Sequence, residues 1–453
     1  MAQTNASLLS ALAQRRPVLW LNPDRSPQSA RDRDALVSIL HSVAEARERF
    51  ERFAPLLASL FLELTPLAGR IDSPLREVHR LAAGLGLHRS DGRLFVKADH
   101  ELPVAGSIKA RGGANAVLDV AERVALSSGL LEGGDYARLA SPDVVQAFRR
   151  HRISVGSTGN LGLSVGIFAT RLGFAATVHM SADAKAWKKD LLREHGSDVV
   201  EHAGDYESAL ASGREAALGD HRTFFIDDEN SVPLLSGYAI AAYSLRDQLA
   251  SEGVRVDESH PLFVYLPCGV GGAPAGITLG LHDVFGPCVH CFFVEPTEAP
   301  CFLVQMLADN GAHPSVYDIG LSGRTEADGL AVPRASLLAA GVAGPLLAGL
   351  LTLDDETVFQ HLALAWDREG LKLEPSAAAA LSGPTRLLEG AEGSDYLSHN
   401  GLRSRLPNST HVAWTTGGSL VPDIEHARFL ARARLAALPS GTLTQPNPER
   451  TRR

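Results

Sequence analysis

The sequence predicts an α/β chain with two open, mostly parallel sheets preceded by a mainly helical accessory segment. Three observations lead there. From about residue 150, strand and helix patterns alternate at a short regular pitch, and the helices end near Gly173, Gly196 and Gly219. Alternation of this kind marks a parallel sheet covered by helices on both faces. A second alternating region begins at Gly237, and its strand candidate, 260–266, is almost continuously apolar, as a strand buried on both faces should be. The third is length, because 453 residues exceed the usual size of a single core.

In chain order, residues 1–85 are expected to form the accessory segment. Apolar residues recur at helical spacing over 31–48 and 53–64, and 76–85 reads as a further short helix. Between Pro17 and Pro23 the chain reads as an ordered arm. A strand at 94–97 and helices at 108–126 and 142–149 follow. Strands at 152–155, 176–180, 198–201 and 223–226 alternate with helices at 161–172, 184–195 and 206–217. These elements define a small α/β domain over 150–230. Beyond it come a helix at 239–249, the strand at 260–266, a helix at 273–284, a strand at 289–295 and a helix at 301–308. A helical pattern over 346–368, an alanine helix at 377–380, a strand at 411–414 and a helix at 424–438 complete the order. Segments 86–149 and 231–439 are expected to make one large domain, and 440–453 a flexible tail.

Charge and composition exclude several classes. The formal net charge is −9 and no Lys/Arg block dominates any region, which disfavours nucleic acid and anionic membranes as partners. The first residues are broken by Arg15-Arg16, unlike a signal peptide, and no stretch is long enough to span a membrane. A cytoplasmic protein is expected. The cysteines are Cys268, Cys288, Cys291 and Cys301. Cys288 and Cys291 have the spacing of a redox or metal pair, but no second Cys/His pair has zinc-ligand spacing, and buried free thiols are the expectation.

The chemistry-bearing residues cluster after strands. Gly106-Ser107-Ile108-Lys109-Ala110-Arg111-Gly112-Gly113 places one lysine among small residues at a helix start. Such an amine can form a Schiff base if it is partly buried; otherwise it is a solvated surface lysine. Cys268-Gly269-Val270-Gly271-Gly272 lies between a buried strand and a helix, where successive backbone N–H groups can cradle a phosphate. It lacks the Lys-Ser/Thr of a Walker loop and fits the dinucleotide fingerprint poorly, and a plain tight turn remains the alternative. Ser157-Thr158-Gly159-Asn160 offers hydroxyls and an amide for a substrate carboxylate and a ring oxygen, or else an N-cap. Thr416-Gly417-Gly418 offers a hydroxyl to an aromatic nitrogen, or else is a turn. Pyridoxal 5′-phosphate could use all four together.

Longer stretches carry a resemblance. Lys97 to Pro103, the Lys109 loop, Val155 to Leu163, His179 to Lys188, Phe225 to Asn230 and Tyr265 to Gly272 are similar to the bacterial D-serine dehydratases. These are pyridoxal-phosphate enzymes of the tryptophan-synthase-β-like group, fold type II. The similarity extends over about residues 19–431. It implies a cofactor cleft between the two sheet domains and β-elimination of D-serine to pyruvate and ammonia, with weaker action on D-threonine. It implies Lys109 as the Schiff-base lysine and Ser157 and Thr158 near the substrate carboxylate. It further implies Asn160 at the ring oxygen, Gly269, Val270, Gly271 and Gly272 around the phosphate, and Thr416 at the ring nitrogen. A monovalent cation such as potassium is implied too, with Glu295 as the candidate ligand. The family often extends its glycine run where this chain has Ala273. The D preference rests wholly on this resemblance. The alternatives are a dehydratase or racemase for another amino acid, or an α/β protein that binds a small molecule non-covalently. The helices of 1–85 could cover a dimerisation surface, so a monomer is expected.

Overall fold

The computed structural model of the chain describes residues 4–27, 34–131, 134–157, 159–182, 184–203, 206–309 and 311–436. Eleven strands are numbered here in chain order: β1 Leu19–Leu21, β2 Leu75–Glu77, β3 Arg93–Lys97, β4 Arg152–Gly156, β5 Ala175–Ser181, β6 Asp198–His202, β7 Thr223–Ile226, β8 Leu262–Pro267, β9 Val289–Pro296, β10 Gly349–Leu353 and β11 Thr410–Trp414. They form a seven-stranded sheet of order β1-β10-β9-β8-β11-β3-β2 and a four-stranded sheet of order β6-β5-β4-β7. The small sheet is wholly parallel. In the large sheet only the edge strands β1 and β2 run antiparallel to their neighbours.

The strand sequences explain these places. Every residue of β8, β9, β10 and β11 is buried. Their runs, such as Leu-Phe-Val-Tyr-Leu-Pro in β8, have no polar face to present to water. Burying each large apolar side chain contributes about 1.5–3 kcal/mol. β6 has only exposed and half-buried residues, as a strand at a sheet edge can.

Glycines set the helix packing around the cleft. Helix Val232–Ala239 lies between helix Lys109–Ser127 and helix Gly272–Phe285. A Cβ on Gly112 would stand 2.3 Å from the Tyr238 ring, and one on Gly276 2.4 Å from the Leu235 carbonyl oxygen. Real Cβ atoms do not approach that closely, so these positions fix how near the lysine-bearing helix and the helix after the glycine loop can come.

Several expected elements need correction. The patterns at 31–48 and 53–64 are one helix, Asp34–Leu60, which runs through Pro55 because Phe53, Leu56 and Leu57 pack into the same core; residues 31–33 lie outside the described residues. Residues 75–77 are strand β2, paired to β3, and only His79–Gly84 is helical. The ordered arm contains β1, so the N-terminal segment supplies both edge strands of the large sheet as well as helices. The start of 346–368 is β10, slotted between β1 and β9, and helix Asp355–Glu369 follows it. Leucine and alanine at high density read as helix, but Gly349 lies so close to the Trp20 carbonyl that a Cβ would stand 2.4 Å away. Helix Val232–Ala239 was not expected at all. The loop at 132–133, Asp183 and the tail lie outside the described residues.

Candidate active site

Topology assembles the site. β8, β11 and β3 are neighbours in the large sheet and run parallel, so the loops after them emerge side by side at its carboxyl edge. Those loops are Cys268–Gly271, Thr415–Gly418 and the stretch ending in Lys109. Two of them are tied directly: Ile108 N–H donates to the Thr416 carbonyl at 2.8 Å, and Ser107 and Gly417 form a bridge. From the other sheet, β4 delivers Ser157 and Asn160. One cleft is lined by Lys109, Ser157, Asn160, Gly269, Val270, Gly271 and Thr416 together.

Lys109 opens its helix with a side chain 21% exposed, and its Nζ lies 3.7 Å from Asp228 Oδ2. The Tyr238 ring is also near, with its centroid 5.4 Å from Nζ. Burial, then the Asp228 charge, pushes the Tyr238 hydroxyl well above its usual range, so it stays neutral beside the amine. Asp228 Oδ1 is buried with no hydrogen-bond partner among the described residues.

The glycine loop has the features of an anion cradle. Gly271 adopts φ +103°, a left-handed conformation that L side chains avoid, and a Cβ there would stand 2.3 Å from the Phe302 ring. Among the described residues, the N–H groups of Gly269, Val270, Gly271 and Gly272 meet no acceptor, and they open the helix Gly272–Phe285. Free N–H groups at a helix start attract a phosphate. The side of Gly272 faces Asp228, whose carbonyl oxygen would be 3.6 Å from a Cβ. Ala273 also lines the cleft.

Polar contacts tie the small-sheet side of the cleft to the large-sheet side. Asn160 Nδ2 donates to Glu374 Oε1 at 2.8 Å, and Lys188 Nζ stands 3.0 Å from Asp328 Oδ2. Burial raises the Glu374 pKa, and the nearby Lys188 charge only partly offsets this. Burial also opposes the charge of Lys188, but Asp328 and Glu374 outweigh it and raise the lysine pKa. Gly329 N–H donates to Ser376 Oγ at 3.0 Å, and both residues line the cleft.

Two expected residues stand apart. Thr158 lies outside the described residues. Glu295 does not line the cleft: it is fully buried at the end of β9 and accepts from the N–H groups of Phe302 at 2.7 Å and Leu303 at 2.9 Å. Burial pushes its carboxyl up to about 8. Among the described residues no group of three or more His, Cys, Asp or Glu side chains is arranged to hold a metal ion. All four cysteines are free thiols, three of them buried.

Sequence reasoning missed Asp228, Lys188, Asp328 and Glu374. Each stands in a conspicuous local setting, such as Asp227-Asp228, Asp328-Gly329 and Glu374-Pro375, but nothing local shows that four separate segments meet.

Residues 67–396 match the family of pyridoxal-phosphate dependent enzymes. The chain belongs to that family. It is 56% identical over 424 residues to a probable D-serine dehydratase of Acidovorax ebreus (strain TPSY), covering 92% of this chain and 94% of that protein. A probable D-serine dehydratase of Rhizobium etli (strain CIAT 652) is 48% identical over 427 residues, covering 94% and 95%. Among solved structures, diaminopropionate ammonia lyase from Escherichia coli in complex with D-serine has the same fold, at TM-score 0.69 and 17% identity over 93% of this chain and 98% of that one. Threonine deaminase isoform 2 from Solanum lycopersicum superposes at TM-score 0.60 and 19% identity, covering 93% and 98%. The architecture is therefore fold type II, and pyridoxal phosphate is the cofactor. The four free N–H groups and the partly buried amine fit that group.

Proposed function

We propose that this enzyme eliminates the β-hydroxyl of D-serine, giving pyruvate and ammonia, and that it acts more weakly on D-threonine. One observation carries the reading: a partly buried lysine, the unpaired N–H groups of Gly269, Val270 and Gly271 and a threonine share one cleft. Relatives 56% and 48% identical to this chain bear the same substrate in their names.

Lys109 would hold the cofactor through its amine, with the phosphate in the Gly269–Gly272 cradle. Asn160 would face the ring oxygen and Thr416 the ring nitrogen. When bound, pyridoxal phosphate supplies an electron sink for the electrons released at the substrate α-carbon. Lys109 Nζ would be the group that takes the substrate α-proton. Ser157 and Thr158 bind the substrate carboxylate. Glu374, which accepts from Asn160 Nδ2 at 2.8 Å, would hold that amide in place. Asp228, at 3.7 Å from Nζ, steadies the ammonium after the proton arrives.

We propose a monovalent cation, potassium, beside Glu295: among the described residues this buried carboxylate has no cationic side-chain partner, and a cation would hold it ionised. The division into 1–85, 86–149 with 231–439, and 150–230 is also proposed, supported by β4 to β7 all belonging to the small sheet. A monomer in the cytoplasm without nucleic-acid partners completes the proposal; among the described residues no helix is long and apolar enough to cross a membrane.

A pyruvate assay with each serine enantiomer, with and without potassium, tests this reading. D-Serine turnover that is faster with potassium is expected. Turnover of L-serine alone, or of neither, would overturn it.

A further inference from the structure

Outside the cleft, one buried carboxylate bonds to both of the segments that carry Lys109 and Thr416. Asp99 follows β3 and is fully buried. Its Oδ1 accepts from Arg111 Nη2 at 2.9 Å and from Ser73 Oγ at 2.6 Å. Its Oδ2 accepts from Arg111 Nε at 3.0 Å and from Trp414 Nε1 at 2.8 Å. Arg111 stands two residues after Lys109 on the same helix, and Trp414 ends β11 two residues before Thr416. Asp99, Arg111 and Trp414 do not line the cleft.

These contacts are rigid. Arg111 meets Asp99 through two N–H groups, the geometry in which a guanidinium holds a carboxylate most specifically. Burial opposes the charge of Asp99, but Arg111 outweighs it and keeps the carboxyl below its usual range. Asp72 Oδ1 lies 3.0 Å from both Lys97 Nζ and Arg111 Nη2, so two cations face two carboxylates. Removing one carboxylate leaves a buried cation short of its partner.

The same two segments are also joined by the Ile108 N–H to the Thr416 carbonyl and by the Ser107–Gly417 bridge. A single line of backbone contact can act as a hinge. Asp99 adds a second tie, at Arg111 and Trp414. Lys109 falls between the two ties on its segment, and Thr416 falls between Trp414 and Gly417 on the other.

We infer that Asp99 is a positioning residue for the cofactor, holding Lys109 and Thr416 at the separation one pyridine ring requires. This rests on the reading that the Lys109 amine binds the cofactor and Thr416 meets its ring nitrogen. A site keeps its geometry only when the side chains behind it are themselves locked.

The test uses the holoenzyme. Equilibrium dialysis gives the dissociation constant of pyridoxal phosphate, visible circular dichroism per bound cofactor reports how the ring is held, and urea unfolding reads stability. In Asp99→Asn the amide NH2 meets an N–H of Arg111 whichever way it turns. The expected result is a dissociation constant raised roughly tenfold or more, with dichroism per bound cofactor reduced by about half. Trp414→Phe keeps a ring and loses one bond. It should raise the constant roughly threefold, and it carries the test where Asp99→Asn does not fold. The control is Glu122→Gln, further along the Lys109 helix, where the carboxylate meets Arg49 at 2.9 Å and Arg52 at 2.8 Å. It should lower the urea midpoint while leaving both cofactor readouts within about twofold. Unchanged cofactor readouts in either Asp99→Asn or Trp414→Phe, or equal changes in Glu122→Gln, would overturn the inference. Borohydride labelling of the wild-type chain away from Lys109 would instead overturn the reading beneath it, so the two failures are distinguishable.

Discussion

The large-sheet wall of the cleft is built from backbone and close packing, whereas the small-sheet wall is attached by polar pairs reaching across it. On the large-sheet side, Gly271, Gly417 and Gly112 have no room for a methyl group, and β8, β9 and β11 are buried throughout. On the other side, Asn160 and Lys188 reach Glu374 and Asp328 through single contacts of 2.8 and 3.0 Å. The first wall is shaped by volume and fails by overpacking. The second is shaped by charge and fails by losing a partner.

The strongest way to break this contrast is Gly271→Ala. A left-handed backbone costs about 1–2 kcal/mol for an L residue, and forcing a methyl against Phe302 costs about 1–3 kcal/mol more. Expected are an unfolding free energy lower by about 4 kcal/mol in urea and loss of cofactor binding. Near-normal stability and cofactor content would mean the loop can widen.

Next is acid. Burial holds the rings of His411 and His361 down at about 4, with Asp91 and Asp354 respectively only partly countering it. An unfolded histidine takes up its proton at about 6.5. The stability from each neutral ring is therefore complete above about 6.5 and is lost as pH falls through 4, by on the order of 3 kcal/mol per ring. Urea unfolding at pH 7 and 4.5 should show this loss, reduced in His411→Asn. An identical pH slope in that variant would contradict the assignment.

For the charged wall, Asp328→Asn keeps the shape but leaves Lys188 without its nearest counter-charge. The expected result is a roughly tenfold lower kcat/KM, about 1.4 kcal/mol, mostly through KM, with little change in urea stability. Unchanged kinetics would mean that this pair does not hold the walls together.

The smallest effect should come from Asp198→Ala at the outer edge of the small sheet, where Arg152 and Asp198 are 42% and 67% exposed. Such a pair contributes about 0–1 kcal/mol, so thermal unfolding should barely move.

The same contrast explains what the sequence could reveal. Gly269, Gly271, Lys109 and Thr416 stand in short loops directly after strands, and parallel topology alone brings such loops together; their convergence was legible for that reason. The helix at 206–217 and the strand at 223–226 also fall where the alternation put them. β10 and helix Val232–Ala239 did not, because Leu- and Ala-rich runs carry no period that separates strand from helix once both faces are buried. Glu374, Asp328 and Lys188 were illegible as a set because tertiary packing, and no local pattern, gives them one another.

The central claim is that Lys109 is the residue that holds the cofactor. Borohydride reduction of the holoenzyme followed by peptide mass mapping tests it directly. The account predicts one cofactor-modified peptide, with the modification on Lys109, and none in Lys109→Ala. Modification of Lys188 or any other lysine in the wild-type chain would contradict it.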